Sequence, residues 1–222
     1  MRITDIKTYV LVADNADVSL TSSAQDTILV EIYTDNGIIG YGETDTNPWV
    51  AKALIDSPGT HTMDQSMKDI LIGKDPLDID KRWEELYVGT AMTGRRGAGV
   101  NAIGAIDMAL WDIKGKHEEK PVYELMGGNY HETITPYASL QPLGSSFEEY
   151  RDSLVEWAER AKNLGFKAVK SEVTMNGPYA HNGMNENDDK HTLVIESVRK
   201  ALGSEVKLMV DVQYKWKTAE EL

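Results

Sequence analysis

From Thr133 onward the sequence alternates short apolar runs with amphipathic helical segments, and this alternation constrains the fold more than anything else in the chain. "ITPYASL", "FKAVKSEV" and "VKLMVDVQYKW" read as strands. Between them, "SSFEEYRDSLVEWAERAKNLG" reads as a helix, with a capping box from Ser146 to Glu149 and Gly165 just past its end. "NENDDKHTLVIESVRKALG" reads as a second helix ending at Gly203, and "KTAEEL" begins another. Strand–helix–strand repetition of this kind specifies a parallel sheet with right-handed crossovers. A closed barrel takes about eight strands, and a doubly wound sheet of only three would leave exposed edges. The alternation therefore reads as unfinished at Leu222, inside a helix.

The residues before this region follow a different pattern. "RITDIKTYVLV" places Ile3, Ile6 and Val10 among polar positions. "TILVEIYTDNGIIGYGET" reads as a hairpin: Ile28, Val30 and Ile32 alternate, and Asn36-Gly37 supplies the turn. The polar stretch "ADNADVSLTSSAQD" between them reads as a mobile loop. Residues 47–127 read as mostly helical, with Ile79, Trp83, Leu86 and Tyr87 at helical spacing in one segment. Ile103, Ile106, Leu110 and Ile113 line a second, where Ala102, Ala105 and Ala109 permit close approach. Strands followed by helices indicate an α+β unit. The expected division is an α+β capping domain over 1–128 and the first β/α units of a barrel over 129–222.

The net charge of −13 argues against nucleic-acid and anionic-membrane partners, which need clustered Lys and Arg. With no cysteine, disulfides, thiolate catalysis and zinc–thiolate sites are excluded. The N-terminus lacks a signal-peptide pattern and no apolar run reaches membrane-span length, so a cytoplasmic protein is the expectation.

Buried parallel strands are nearly all apolar, so polar residues at their C-terminal ends are informative. That end carries the site in barrels and open α/β sheets. Lys170 and Glu172 end the second strand, two apart and therefore on one face. Asp211 and Gln213 end the third strand in the same way. Asp211 is a hard oxygen ligand suited to Mg²⁺. Lys170 is a candidate base if burial or a nearby cation lowers its pKa. An inert ion pair of Lys170 with Asp211 or Glu172 is the competing reading.

These residues also carry a resemblance. "RITDIKTYVL", "DTILVEIYTDNGIIGYGET", "AIGAIDMALWDIKGKHEEKPVYELMGG", "GFKAVKSE" and "LMVDVQYKW" together resemble the mandelate racemase / muconate lactonizing enzyme branch of the enolase superfamily. The resemblance implies an α/β protein with an α+β cap, followed by a modified (β/α) TIM-type barrel of which the first part is present. It implies proton abstraction α to a carboxylate by a lysine ending the second barrel strand, and Mg²⁺ held first by an aspartate ending the third. By motif position these are Lys170 and Asp211, with the remaining metal ligands expected beyond Leu222. On that count the chain supplies one Mg²⁺ carboxylate where three are expected. The family's Lys-x-Lys is Lys170-Ser171-Glu172 here, so Glu172 replaces the usual base, pairs with Lys170 or holds it protonated. The family's Asp-x-Asn is Asp211-Val212-Gln213.

The cap of this family closes over the barrel mouth through two segments, matching 14–25 and 44–50. Trp49 is a candidate pocket wall, and Asp17, Ser19, Thr21 and Thr46 are candidate polyol contacts. Arg95 and Arg96 are candidates for gripping a carboxylate, and Gln213 for touching substrate. His61 is the one histidine to watch on sequence grounds, and Tyr179 or His181 of the polar insert 175–189 could touch substrate. The implied function is a Mg²⁺-dependent acid-sugar dehydratase of carbohydrate-acid catabolism. It abstracts the α-proton and expels the β-hydroxyl through an enediolate, giving a 2-keto-3-deoxy acid. A racemase or epimerase using the same intermediate, or an inactive shortened chain, is the alternative. A homo-oligomer acting on a small sugar acid is expected.

Overall fold

The computed structural model describes residues 1–18, 25–94, 96–128, 130–216, 218 and 220. Ser19, Thr21 and Arg95 lie outside the described residues, as does most of the helix expected from 217 onward. Contacts divide the chain into two units, one built from Met1–Ala16 and Ser23–Tyr130, the other chiefly from His131–Leu222.

The first unit is an antiparallel three-stranded sheet with helices on one face. β1 (Ile3–Val12) pairs with β2 (Asp26–Thr34), which pairs with β3 (Ile39–Thr44). Gly37 adopts φ 86° in the turn between β2 and β3, a conformation that suits glycine. Ile28, Val30 and Ile32 are all fully buried, as strict alternation on a half-covered sheet requires. Ile3 and Ile6 are three apart, and simple alternation would put them on opposite faces. A register shift between Ile3 and Asp5 lets both enter the core.

The helices are α1 (Pro48–Asp56), α2 (Met67–Leu71), α3 (Ile79–Gly89), α4 (Ala98–Glu118) and α5 (Val122–Leu125). α4 buries Ala102, Ile103, Ala105, Ile106, Ala109, Leu110 and Ile113, a stripe at helical spacing. It lies directly on β3. A Cβ on Gly40 would overlap the carbonyl oxygen of Ala109, and one on Gly42 that of Ala105. Two glycines on the strand and small residues on the helix thus bring the backbones together. α3 buries Ile79 and Leu86, while Trp83 stays exposed and stacks on Tyr87 with ring centroids 5.1 Å apart.

Asp56, at the end of α1, ties the helix to the sheet. It accepts from Lys52 Nζ at 2.6 Å and Thr8 Oγ1 at 2.7 Å, and Lys68 Nζ lies 2.7 Å from its other oxygen. Burial pushes this carboxyl up, but Lys52, Lys68 and Thr8 outweigh it and hold it below its ordinary value of 3.8. Because the folded-state pKa lies below the unfolded one, the stabilisation is complete above that value and is lost as the pH falls through the folded pKa. Asp56→Asn is therefore expected to be less stable than wild type at neutral pH, with the gap closing in acid. Urea melts across the acid range measure it, and a gap independent of pH would refute the assignment.

The second unit is a parallel sheet of order β4-β5-β6, formed by β4 (Ala138–Leu140), β5 (Ala168–Glu172) and β6 (Lys207–Asp211). α6 (Phe147–Asn163) connects β4 to β5, and α7 (Asp189–Leu202) connects β5 to β6. α6 begins with the expected capping box: Glu149 N–H donates to Ser146 Oγ at 3.3 Å, and Ser146 N–H to Glu149 Oε2 at 3.1 Å. Gly165 and Gly203 take left-handed φ values of 90° and 76° at the helix ends. Val169 packs with Leu154, Val194, Val198 and Leu202 in the core between sheet and helices. Alternation then turns Lys170 and Glu172 to the opposite face. β6 is more open than a buried parallel strand: Met209 and Val210 are exposed, because no further strand or helix covers it among the described residues. The fold class is thus an α+β unit followed by parallel β/α units that form part of a barrel.

No helix among the described residues is long and apolar enough to cross a membrane.

Candidate active site

The parallel register sets Lys170 beside Met209 and Glu172 beside Asp211 across β5 and β6. The carboxylates at the two strand ends are therefore neighbours. Lys170 Nζ lies 2.9 Å from Asp211 Oδ2, and both side chains are 28% exposed. This is the Lys170–Asp211 ion pair anticipated from the strand ends, formed at a partly open surface. The pairing shifts both groups: the Asp211 hydrogen bond holds the Lys170 ammonium above its ordinary range although burial pushes it down. Lys170 correspondingly holds the Asp211 carboxyl low, against burial, with help from the Gln213 N–H. In this arrangement Lys170 is a cation; the lowered pKa that would suit a base is absent. Its Nζ also lies 5.6 Å from the Tyr137 ring centroid.

Of the alternatives the sequence left open for Glu172, direct pairing with Lys170 is not formed. The partner of Glu172 is Gln213, whose Nε2 donates to Glu172 Oε1 at 2.7 Å. Glu172 is only 3% exposed and its Oε2 has no hydrogen-bond partner. Burial raises its pKa; Gln213 opposes that, Asp211 adds to it and Lys170 counters it. Gln213 was expected to offer a free amide to substrate, but the structure spends that amide on Glu172. Its main-chain N–H also donates to Asp211 Oδ1 at 3.1 Å. Gln213 and Tyr214 both have left-handed φ, 45° and 57°.

Two supports escaped sequence reasoning. Tyr150, fully buried on α6, reaches the end of β5. Its hydroxyl donates to the Glu172 carbonyl at 3.1 Å and accepts from Thr174 N–H at 2.9 Å. The insert after β5 is also firmly pinned. Asn176 Nδ2 donates to Glu186 O and Asp188 Oδ1, and Lys215 Nζ binds the same Asp188 oxygen at 2.5 Å. His181, expected near substrate, is 1% exposed: its Nε2 meets Gly144 O at 2.9 Å and its ring packs edge-on to Tyr150. Tyr179 is 60% exposed and meets Tyr214 edge-on at 6.1 Å. A tyrosine in a helix and a histidine in a polar loop carry no sequence signal for these roles, because the contacts join segments distant along the chain.

Of the other candidates, Thr46, Trp49, Arg96 and His61 lie in the first unit, and Asp17 is grouped with the second. Thr46 is half-buried, Trp49 is 57% exposed in the first turn of α1, and Arg96 is exposed. His61 is exposed, and its Nδ1 accepts from Met63 N–H at 3.3 Å.

For Mg²⁺ the donor set fits in part. Asp211 and Glu172 supply hard carboxylate oxygens, and one of them is buried without a partner. Among the described residues no group of three or more His, Asp or Glu converges as a metal cage.

Comparisons with known proteins agree with this architecture. A family model, "Mandelate racemase / muconate lactonizing enzyme, N-terminal domain", matches residues 7–127. D-galactarolactone cycloisomerase of Agrobacterium fabrum is 30% identical over 227 residues, covering 100% of this chain and 54% of its own. Arabinonate dehydratase of Saccharolobus solfataricus is 29% identical over 219 residues, covering 94% of this chain and 53% of its own. Among solved structures, a racemase from Streptomyces coelicolor with bound magnesium superposes with TM-score 0.76 at 25% identity, over 97% of this chain and 56% of that one. The chain spans about half the length of the relatives it matches. With a family model matching more than half of its residues, and the α+β unit and parallel β/α units both in place, the chain belongs to the mandelate racemase / muconate lactonizing enzyme family.

Proposed function

We propose that this chain carries part of the active site of a Mg²⁺-dependent acid-sugar dehydratase. The observation behind this reading is the gathering of Lys170, Asp211, Glu172 and Gln213 at the C-terminal ends of adjacent parallel strands. In such a reaction the α C–H bond of a 2,3-dihydroxy acid breaks and the carbanion is held as an enediolate. The β C–O bond then breaks, water leaves, and the enol rearranges to a 2-keto-3-deoxy acid. A divalent cation, when bound, would supply charge stabilisation at the enediolate oxygens.

Lys170 is the group proposed to meet substrate, since it is 28% exposed where Glu172 is buried. Paired with Asp211 it is an ammonium and offers positive charge to the anion beside it; it would take the α-proton as the free amine only once a bound cation has displaced it from Asp211. Asp211 would hold the cation.

A racemase or cycloisomerase is the second reading. It is supported by the cycloisomerase and racemase names among relatives that cover nearly all of this chain. Both readings begin with loss of the same proton and differ afterwards. Proton NMR in D₂O over a panel of aldonic and aldaric acids with Mg²⁺ separates them. Dehydration removes the C2 proton and creates a C3 methylene. Exchange at C2 without that methylene would assign the second reading, and no change at C2 with any acid would overturn both.

A further inference from the structure

We propose that Glu172 is a carboxylate ligand for a divalent cation, sharing it with Asp211 and held for that purpose by Gln213. The proposal rests on the reading of Asp211 as a cation ligand and adds a donor from the neighbouring strand.

Glu172 and Asp211 are register partners on β5 and β6, on strands spaced about 4.8 Å apart, and both face away from the helices. Glu172 is 3% exposed, and one of its oxygens, Oε2, lacks any partner. A buried carboxylate oxygen is stable only when a proton or a cation neutralises it. The nearest side-chain cation, Lys170, is already committed to Asp211 Oδ2 at 2.9 Å. That contact shows that this face accepts positive charge, while Glu172 Oε2 is left unserved.

The backbone supplies the third observation. Gln213 and Tyr214 are successive non-glycine residues at positive φ, a costly conformation held only where the surroundings demand it. Its result is specific. Gln213 N–H engages Asp211 Oδ1 and its side-chain amide engages Glu172 Oε1. One residue therefore fixes one oxygen of each carboxylate; of the other two, Glu172 Oε2 has no hydrogen-bond partner, and Asp211 Oδ2 is held by Lys170, which a shared cation would displace. Two hard anionic oxygens select Mg²⁺ or Mn²⁺ rather than a soft metal. The chain thus contributes two metal carboxylates rather than the one expected from its motifs, and Lys170 is the internal cation that competes for them.

The test is titration of the 222-residue chain with Mn²⁺ alone, following the free ion by electron paramagnetic resonance, with Mg²⁺ as competitor. Wild type is expected to bind Mn²⁺ weakly and release it to excess Mg²⁺. Asp211→Asn and Glu172→Gln should each weaken binding by about tenfold or more. Gln213→Gly, which tolerates the positive φ but removes the amide, should weaken it less. Lys170→Met should tighten binding, since the competing ammonium is gone; a purely structural role for these residues would not produce that gain. Circular dichroism checks each fold, and Glu172→Met repeats the arm if the Gln variant unfolds. If Glu172→Gln binds like wild type while Asp211→Asn does not, the proposal fails and the Asp211 reading stands. If neither matters, or wild type binds no Mn²⁺, both fail.

Discussion

Gly42→Val is expected to cost the first unit about 3 kcal/mol, the upper end for overpacking a closely fitted site. Urea unfolding of the purified variant would register it as a lower midpoint or as a chain that no longer folds. The cause is the contact between β3 and α4. A Cβ at Gly42 would overlap the Ala105 carbonyl oxygen, and a second backbone atom, Ala109 N, would lie only 2.9 Å from it. Backbone atoms cannot rotate aside as a side chain would, so strand and helix must separate. That separation would loosen the packing of Ile106 and Leu110 against Val30 and Ile32 in the same core. Gly104→Ala provides the contrast on the same helix. A Cβ there meets nothing within 4 Å, so the substitution should stabilise by about 0.5–1 kcal/mol through helix propensity. Equal effects of the two changes would mean that the close approach does not exist.

Tyr150→Ala carries the largest expected effect in the second unit, about 3–5 kcal/mol, typical of removing a buried aromatic ring. The ring is fully buried in the core of the second unit. Tyr150→Phe separates packing from hydrogen bonding. It keeps the ring but leaves Thr174 N–H and the Glu172 carbonyl without their partner, a loss of about 1–3 kcal/mol. Because those two groups lie at the end of β5, the Phe variant should also speed amide exchange at Thr174. A Phe variant with unchanged stability and exchange would show that the hydroxyl does not brace the strand end.

Much of this fold is legible in the sequence because its causes are local. Alternation at Ile28, Val30 and Ile32, helical spacing from Ile103 to Ile113, the Ser146–Glu149 capping box and the terminal Gly165 and Gly203 each act within a few residues. The shared face of Lys170 and Glu172 follows from the two-residue period of any strand. Other features follow from register or from unusual backbone. Ile3 joins the core only through a local register shift, which no periodicity announces. The polar insert looks solvated by composition, yet His181 and Asn176 fold it onto the unit through partners far along the chain.

The amino-acid sequence by itself determined which residues stand at the strand ends and on which side, since side-chain direction is a property of the strand alone. It could not decide among the partners open to them. Lys170 had two carboxylates within reach, and the pairing of β5 with β6 gave it Asp211. Glu172, left without an amine, was taken by Gln213 through a pair of left-handed residues that no strand pattern foretells. Electrostatic pairing depends on distances of a few ångströms across separate segments, and only the assembled sheet sets those distances.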